Sequence, residues 1–245
     1  VEGAAVGGAC VNYGCIPEKL LDYAAGFQEF RQLALSYGWS ECNPQFHWHQ
    51  FIVNKNRHIH HLHQLHCQHL KQAGVVFCPG QATFLDPHTL LVGDRSVTAD
   101  KILIAVGAIP IKPDIPGIES TITWRDLYHL SEQPNQIAIW GADSIGTKIS
   151  GSLNALGSEV TLIVGTDRIL PDLDHEISQK IQQRMRQQGV KLLLNTSITE
   201  VEKAGSYLNL GLSNPQLSHL LVDALLVDAP RHPNLKKLDL HNVGI

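Results

Sequence analysis

Two cysteines at the start of a predicted helix are the residues of this chain best suited to catalysis. Cys10 and Cys15 lie five positions apart within residues 7–19, whose sequence is GGACVNYGCIPEK. The apolar positions that follow recur with the period of a helix, and Pro17 is tolerated in its first turn. A helix N-terminus stabilises a thiolate, and two such cysteines can close a small disulfide ring. The pattern predicts dithiol–disulfide exchange; the alternative is two unrelated, small buried side chains.

A glycine-rich turn is the second candidate site. The run from Gly141 to Gly146 follows the predicted strand Gln136 to Trp140 and opens a predicted helix that reaches Gly157. This context is typical of a turn that binds a dinucleotide pyrophosphate at the helix N-terminus. Asp143 stands where the central glycine is usual, and its bulk and negative charge oppose a pyrophosphate. The alternative is therefore a turn of the same fold that no longer holds NAD(P) well.

The choice between NADH and NADPH stays open. Gly165 ends the next predicted strand, where an acidic residue would select NAD. Arg168 is the only nearby cation that could contact a 2′-phosphate. The sequence therefore predicts no cofactor preference.

Histidine is concentrated in a long helix predicted from about Gln50 to Ala73. His60 and His63 share a helix face with Cys67 and could hold a soft divalent metal. An apolar stripe leaves most of these histidines to solvent, and their spacing matches no closed structural zinc site. We therefore predict an exposed polar face and no metal site. The histidines are His58, His60, His61, His63, His66 and His69; Cys42 and Cys78 are predicted to be structural.

Alternating strands and helices must position these motifs. Three prolines between Pro110 and Gly117 indicate a linker, and the βαβ pattern beyond it predicts an α/β fold with a parallel, doubly wound sheet. The pattern continues with a helix from about Asp174 to Gln188. Strands are predicted at Val75–Phe77, Gln81–Phe84, Thr89–Val92, Lys101–Ala105, Gln136–Trp140, Glu159–Val164, Val190–Leu194 and Ala224–Val227.

Composition and charge exclude several classes of protein. Among the 245 residues 43% are hydrophobic and 17% charged, and the net charge of -4 contains no block of like charge. We therefore expect no nucleic-acid partner and no membrane partner, and a small molecule instead. No apolar run is long enough for a membrane span, and residues 1–5 lack the features of a signal peptide. Five cysteines without dense spacing favour a reducing compartment, so we predict a cytoplasmic location.

The cysteine segment resembles the motif G-G-T-C-x-N-x-G-C-x-P-x-K of the pyridine nucleotide-disulfide oxidoreductases. Residues 46–75, 100–107 and 113–117 are most similar to the glutathione-reductase branch of that family. The resemblance implies an enzyme with bound FAD that passes hydride from NAD(P)H through the flavin to a Cys10–Cys15 disulfide, and then to a small disulfide substrate. It implies that the Cys15 thiolate stacks on the flavin and that Cys10 attacks the substrate.

The resemblance also implies which residues contact the cofactors. Glu2 matches the acidic residue that binds the adenosine ribose, and Lys19 is available as a cation near the flavin. The implied cofactor-binding residues are Glu2, Gly7, Gly8, Lys19, Gly107, Gly141, Gly146 and Lys148.

The same resemblance implies the domain organisation. An incomplete Rossmann-type FAD-binding domain would span residues 1–117, with an inserted NAD(P)-binding domain at 118–228 and a return to the first domain at 229–245. The flavin fingerprint G-x-G-x-x-G is expected upstream of residue 1, and a His–Glu acid/base pair beyond residue 245. We therefore assign the catalytic base to no histidine of this chain, and expect a homodimer for the full-length enzyme.

Two charged positions depart from the family pattern. The family usually has lysine at position 18 and glutamate at position 148, whereas this chain has Glu18 and Lys148. An ion pair could survive with its polarity inverted, or these could be independent surface substitutions. Other functions also stay open: a relative of dihydrolipoamide dehydrogenase or mercuric reductase, or a degenerate or truncated member without turnover.

Overall fold

The computed structural model describes residues 1–40 and 44–245, apart from the side chain of Gln32. It divides into two compact units: unit 1 comprises residues 1–16, 54–111 and 231–245, and unit 2 comprises residues 17–53 and 112–230. The helices are α1 (Gly8–Asn12), α2 (Cys15–Ser36), α3 (Trp48–Gln72), α4 (Trp124–Leu127), α5 (Ser144–Ala155) and α6 (His175–Gln187). No helix in the described part of the chain combines the length and apolar character needed to cross a membrane.

The strands fall into small antiparallel groups and one larger parallel sheet. They are β1 (Ala82–Asp86), β2 (Thr89–Val92), β3 (Arg95–Thr98), β4 (Ala108–Pro110), β5 (Ile122–Thr123), β6 (Gln136–Trp140), β7 (Glu159–Ile163), β8 (Lys191–Leu193), β9 (Ile198–Ala204), β10 (Tyr207–Asn214), β11 (Leu217–Val222), β12 (Ala224–Val227) and β13 (Arg231–Pro233).

The long helices begin close to their predicted positions, and α3, α5 and α6 also end close to theirs, because local signals define them. α2 begins at Cys15, and α3 spans Trp48–Gln72 before a left-handed glycine at Gly74. α6 begins after Asp174, whose carboxylate accepts hydrogen bonds from the N–H groups of Glu176 and Ile177.

A parallel sheet forms the core of unit 2 and confirms the predicted α/β fold. Its strand order is β5-β12-β6-β7-β8, with Ile139 of β6 paired between Leu226 of β12 and Leu162 of β7. These three side chains are fully buried. Continuous apolar strands are typical of a parallel sheet covered on both faces.

An antiparallel sheet of β9, β10 and β11 was missed by the sequence prediction. Its order is β11-β10-β9, and it contributes Val201, Leu208 and Leu210 to the hydrophobic core that contains Leu225. Leucines alternate with polar or small residues along residues 208–213 of β10, which is the period of a half-buried strand. That alternation was the signal that could have identified this strand.

Two predicted strands of unit 1 are wrong. Residues 75–77 and 101–105 carry no strand assignment, and Val76 and Leu103 are 82% and 88% exposed. A strand requires a hydrogen-bonded neighbour, and within the described residues the isolated bridge Glu2–Pro79 is the nearest pairing to the first segment. The sheets that do form in unit 1 are β1-β2-β3 and β13-β4. The sequence prediction also missed β3, β4 and β13.

Candidate functional site

The two candidate cysteines lie side by side in unit 1. Cys10 lies in α1, Cys15 is the first residue of α2, and both are exposed free thiols. The pKa of Cys10 is raised because its side chain hydrogen-bonds to Cys15, because it is partly desolvated and because charge on Cys15 repels a second thiolate; a backbone hydrogen bond to Cys15 opposes these effects. The arrangement favours a protonated Cys10 thiol beside Cys15.

Close packing shapes residues 7–15, here called the cysteine loop, which comprise α1 and the turns on either side of it. Gly7 has a φ of +103°, and a Cβ added there would lie 2.6 Å from Cγ2 of Val11. Val11 is itself buried. The first glycine of the motif is therefore required by the backbone turn that leads into α1.

Asn12 lies between the two cysteines, and its side chain hydrogen-bonds to the backbone around them. Its Nδ2 donates to the carbonyl oxygens of Gly8 at 2.8 Å, Ala5 at 3.3 Å and Val6 at 3.4 Å. Its Oδ1 lies 2.8 Å from Nε2 of His63 in α3. Because Oδ1 can only accept, the tautomer consistent with this network has the proton on Nε2.

His63 is one of the histidines of α3 that do not face solvent fully. It is half-buried and contacts the cysteine loop, whereas His60 is exposed and hydrogen-bonds to Gln64 of its own helix. The contact joins residues 51 positions apart, so no local sequence pattern could have found it. Among the residues that the structure describes, no group of three metal-ligating side chains is positioned to hold an ion. Cys67 is an exposed free thiol, Cys78 is half-buried, and Cys42 lies outside the described residues.

Glu2 and Gly107, two of the expected flavin contacts, lie in ordered backbone of unit 1. The Glu2 backbone bridges to residues 78–80, with hydrogen bonds to Cys78 and Gly80, and its Oε1 accepts from the N–H of Ala4 at 2.9 Å. Gly107 has a φ of +70°, and its carbonyl accepts from the N–H of Asn234. Apart from the adjacent backbone, no described atom lies within 4 Å of a Cβ built at Gly107 or at Gly8, so each position faces open space.

Glu18 and Lys148 form an ion pair in unit 2. Lys148 Nζ also lies 3.3 Å from Asp22, whose carboxylate accepts a hydrogen bond from Ser152. The pairing with Glu18 raises the pKa of Lys148, and Asp22 adds to the effect. Asp22, Lys148 and Ser152 of this cluster line an open groove of about 880 Å³ between α2, α5 and α6. Lys19 lies outside the cluster, with its ammonium 4.8 Å from the centre of the Tyr23 ring.

The glycine turn joins the end of β6 to the start of α5. Gly141 has a φ of +110°, and a Cβ on Gly146 would lie 2.6 Å from the carbonyl oxygen of Gly141. Asp143 is the N-cap residue of α5, and its exposed side chain makes no capping hydrogen bond within the described structure. The turn therefore has the close backbone approach of a dinucleotide-binding motif, with an exposed carboxylate at its centre.

Asp228 contacts this turn, and sequence reasoning missed it. Its Oδ2 accepts a hydrogen bond of 2.8 Å from the N–H of Gly146. It directly follows β12, which is the parallel neighbour of β6. An acidic residue at the carboxyl end of a predicted parallel strand was the signal available in the sequence.

The expected discriminators of NAD and NADP are also placed in unit 2. Gly165 is exposed, and a Cβ there would make only an ordinary contact, 3.5 Å from Oγ of Ser197. Arg168 donates to the carbonyl oxygen of Pro171 at 2.7 Å and lies 2.9 Å from Nδ1 of His175. Its guanidinium is thus already engaged within its own loop.

Comparisons with known proteins agree with the motifs. A family model described as pyridine nucleotide-disulphide oxidoreductase matches residues 1–245. A glutathione reductase of Nostoc sp. (strain PCC 7120) is 40% identical over 244 residues, which cover 100% of this chain and 53% of that protein. A glutathione reductase of Burkholderia cepacia is 30% identical over 98% of this chain and 53% of its own length. A chloroplastic/mitochondrial glutathione reductase of Pisum sativum is 32% identical over 98% of this chain and 44% of its own length.

A solved structure shares the fold. The HOCl-induced flavoprotein disulfide reductase RclA from Escherichia coli superimposes with a TM-score of 0.86 and 29% identity, covering 99% of this chain and 52% of that one. This chain therefore spans about half the length of these relatives. The match over all 245 residues confirms the resemblance seen in the cysteine motif, and the chain belongs to the pyridine nucleotide-disulphide oxidoreductase family.

Proposed function

We propose that this chain carries the redox cysteines and the nicotinamide-nucleotide domain of an FAD-dependent NAD(P)H:disulfide oxidoreductase of the glutathione-reductase type. The observation that carries the proposal is the contact between Cys10 and Cys15 at the start of α2. The glutathione reductases and the flavoprotein disulfide reductase among its relatives support it. In this proposal residues 1–117 and 229–245 serve FAD, and residues 118–228 serve NAD(P)H.

The residues of unit 1 fit a flavin nucleotide. Glu2 supplies a carboxylate for a ribose hydroxyl, and Gly8 and Gly107 leave open space beside their backbones. Gly7 shapes the turn into α1. When bound, FAD would supply the hydride chemistry that links NAD(P)H to the cysteines. In unit 2, Gly141 and Gly146 would contact the nucleotide, and Lys19 and Lys148 are the candidate cations for the flavin environment.

The two cysteines would transfer two electrons to the substrate by thiol–disulfide exchange. Cys10 loses its proton and attacks one sulfur of the substrate disulfide, which forms a mixed disulfide and releases the first product thiolate. The Cys15 thiolate then attacks Cys10, which forms the Cys10–Cys15 disulfide and releases the second thiolate. Both leaving thiolates take up protons from solvent or from an acid, and the dithiol has been oxidised while the substrate has been reduced.

Alkylation with mass readout tests the cysteine assignment. Under oxidising, denaturing conditions Cys10 and Cys15 should resist labelling, and mild reduction should expose both. Cys67, an exposed free thiol on α3, is the matched control and should label before and after reduction. Full labelling of Cys10 and Cys15 under oxidising conditions would refute the proposal.

A second candidate function is a family member that keeps the dithiol but receives electrons poorly from NAD(P)H. The carboxylates of Asp143 and Asp228 at the nucleotide turn favour it. A stopped-flow measurement on the protein supplied with FAD separates the two: rapid loss of the disulfide on mixing with NADH or NADPH supports the oxidoreductase. The proposal also includes a small-molecule disulfide substrate, a homodimeric full-length enzyme and a cytoplasmic location. One relative is described as chloroplastic/mitochondrial.

A further inference from the structure

The N-terminus of α5 already holds an anion that belongs to the protein. The first intrahelical hydrogen bond of α5 runs from the N–H of Thr147 to the carbonyl of Asp143, so the N–H groups before Thr147 need other acceptors. The N–H of Gly146 donates to Oδ2 of Asp228 at 2.8 Å. A carboxylate at this end of a helix is also favoured by the helix dipole.

The sheet and the two glycines together place Asp228 at this point. The N–H of Asp228 donates to the carbonyl of Trp140 at 2.8 Å, which extends the pairing of β12 and β6 by one residue. A Cβ on Gly141 would lie 2.9 Å from Cβ of Asp228, and a Cβ on Gly146 would lie 2.7 Å from its Oδ2. The absence of side chains at both glycines therefore accommodates the carboxylate.

We propose that Asp228 determines nucleotide affinity at this turn by occupying the phosphate-binding end of α5 with its own carboxylate. The inference rests on the proposed function, in which the turn from Gly141 to Gly146 faces NAD(P)H. Asp228 takes one of the amide donors at the helix N-terminus and adds a fixed negative charge where a diphosphate group would approach. Asp143 adds a second one. Like charges at close range disfavour the ligand, and salt weakens that repulsion.

The inference distinguishes Asp228 from a residue that only caps the helix. Asp228→Asn keeps an oxygen that can accept from Gly146 but removes the charge. If the residue were only a cap, this variant would leave nucleotide affinity unchanged. If its charge opposes the diphosphate, the variant should bind NADH and NADPH more tightly, and by a similar factor, because both contain that group.

The chain provides a matched control at the other end of the same strands. Asp223 precedes β12, and its Oδ2 accepts a hydrogen bond of 2.8 Å from the N–H of Gln136, at the start of β6. Asp223→Asn therefore removes the same charge from the same kind of carboxylate–amide bond, but at the amino edge of the sheet. It should not change nucleotide affinity.

Calorimetric titration of NADH and NADPH into the purified protein and its variants tests the inference. We expect the dissociation constant to fall about tenfold in Asp228→Asn, further in Asp143→Asn/Asp228→Asn, and not in Asp223→Asn; the gain should shrink at high salt. Asp228→Ser is a second neutral variant should Asp228→Asn fail to fold.

Each other outcome overturns the inference in a distinguishable way. Equal affinity in wild type and Asp228→Asn would show that the Asp228 charge does not act on the ligand. If both proteins still bind NADH or NADPH measurably, the proposed nucleotide site would stand. An equal gain in nucleotide affinity in Asp223→Asn would show that the effect comes from the net charge of the protein and not from the position of Asp228. Absence of binding in every variant, the doubly neutral one included, would overturn both this inference and the assignment of the turn.

Discussion

The pKa of Cys10 is raised chiefly by its partner in the motif, Cys15. The raised pKa of Cys10 comes first from its hydrogen bond to Cys15, then from burial and from charge on its neighbour. At any pH below this raised pKa, a smaller fraction of Cys10 is thiolate than in a cysteine with an ordinary pKa. Because the thiolate is the nucleophile, Cys10 reacts more slowly with an electrophile. The raised pKa of Cys10 thus favours the protonated form of this thiol, which attacks the substrate in the proposed mechanism.

Removing Cys15 should therefore activate Cys10. In Cys15→Ala the hydrogen bond and the neighbouring charge are lost, so the pKa of Cys10 should fall and its alkylation by iodoacetamide near neutral pH should accelerate several-fold. A pH–rate profile of Cys10 labelling measures this shift. Cys67→Ala is the control and should leave the profile in place; an unchanged profile in Cys15→Ala would contradict the coupling of the two thiols.

His63 should contribute to the order of the cysteine loop. His63→Ala leaves Oδ1 of Asn12 without its donor, and the loss of one such hydrogen bond from a half-buried site costs about 1 kcal/mol of unfolding free energy. Chemical denaturation measures that loss, and the rate of Cys10–Cys15 disulfide formation should change with it. His63→Gln should restore part of both.

His60→Ala is the matched control for His63 because His60 is exposed and bonds only to Gln64 among the partners that the structure describes. It should leave the free energy of unfolding and the rate of disulfide formation unchanged. Equal effects of the two substitutions would mean that the histidine-rich face acts as a whole, without a specific role for the contact to Asn12.

At the scale of elements, an ion-pair cluster joins α2 and α5 within unit 2. Lys148 pairs with Glu18 and Asp22, with side-chain exposures of 52% for the lysine and 25% for each carboxylate. Such partly solvated pairs contribute little individually, about 0.5 to 1 kcal/mol. The pair nevertheless joins positions 18 and 148, at which the charges are opposite to those usual in the family. This contact favours a coupled exchange of charges over two independent surface substitutions.

Charge reversal should reveal that coupling. Lys148→Glu places three carboxylates together and should destabilise unit 2, whereas Glu18→Lys/Lys148→Glu should recover most of the loss because the pair is restored. Urea denaturation of both single variants and the double variant gives the coupling energy. Lys180 and Glu176 on α6, an exposed pair, provide a control cycle with a smaller coupling. If the double variant loses as much unfolding free energy as the two single variants lose together, positions 18 and 148 are not coupled.

At the scale of the whole molecule, unit 1 exposes apolar segments that have the sequence of strands. Val76 and Leu103 lie outside helices and strands and are 82% and 88% exposed. Exposed apolar segments of this kind are surfaces for association with another chain. The purified 245-residue chain should therefore self-associate and bind the hydrophobic dye ANS.

Charged substitutions at these positions test that expectation. Val76→Lys and Leu103→Lys should each reduce self-association, because a lysine in an exposed strand-like segment opposes pairing. Light scattering against concentration is the measurement. Val53→Lys, at an apolar position of α3 that is 38% exposed, is the helical control and should have a smaller effect. A monodisperse wild-type chain would show that these segments do not associate.

Local patterns in the sequence determined the main helices, four of the five strands of the parallel sheet and the family. α2, α3, α5 and α6 follow from helical periodicity and from capping residues such as Asp174. β6, β7 and β12 follow from short apolar runs between turns. These signals act within a few residues of one another, so they can be read without a structure.

Only the tertiary structure decided which strands find partners and which distant side chains complete the sites. The segment 101–105 has the composition of a strand but no ladder in the described residues, since pairing depends on a neighbour and not on propensity. Asp228 reaches Gly146 across 82 positions and His63 reaches Asn12 across 51. Such contacts arise when parallel strands or packed helices bring remote residues to one edge, and no local periodicity encodes that approach.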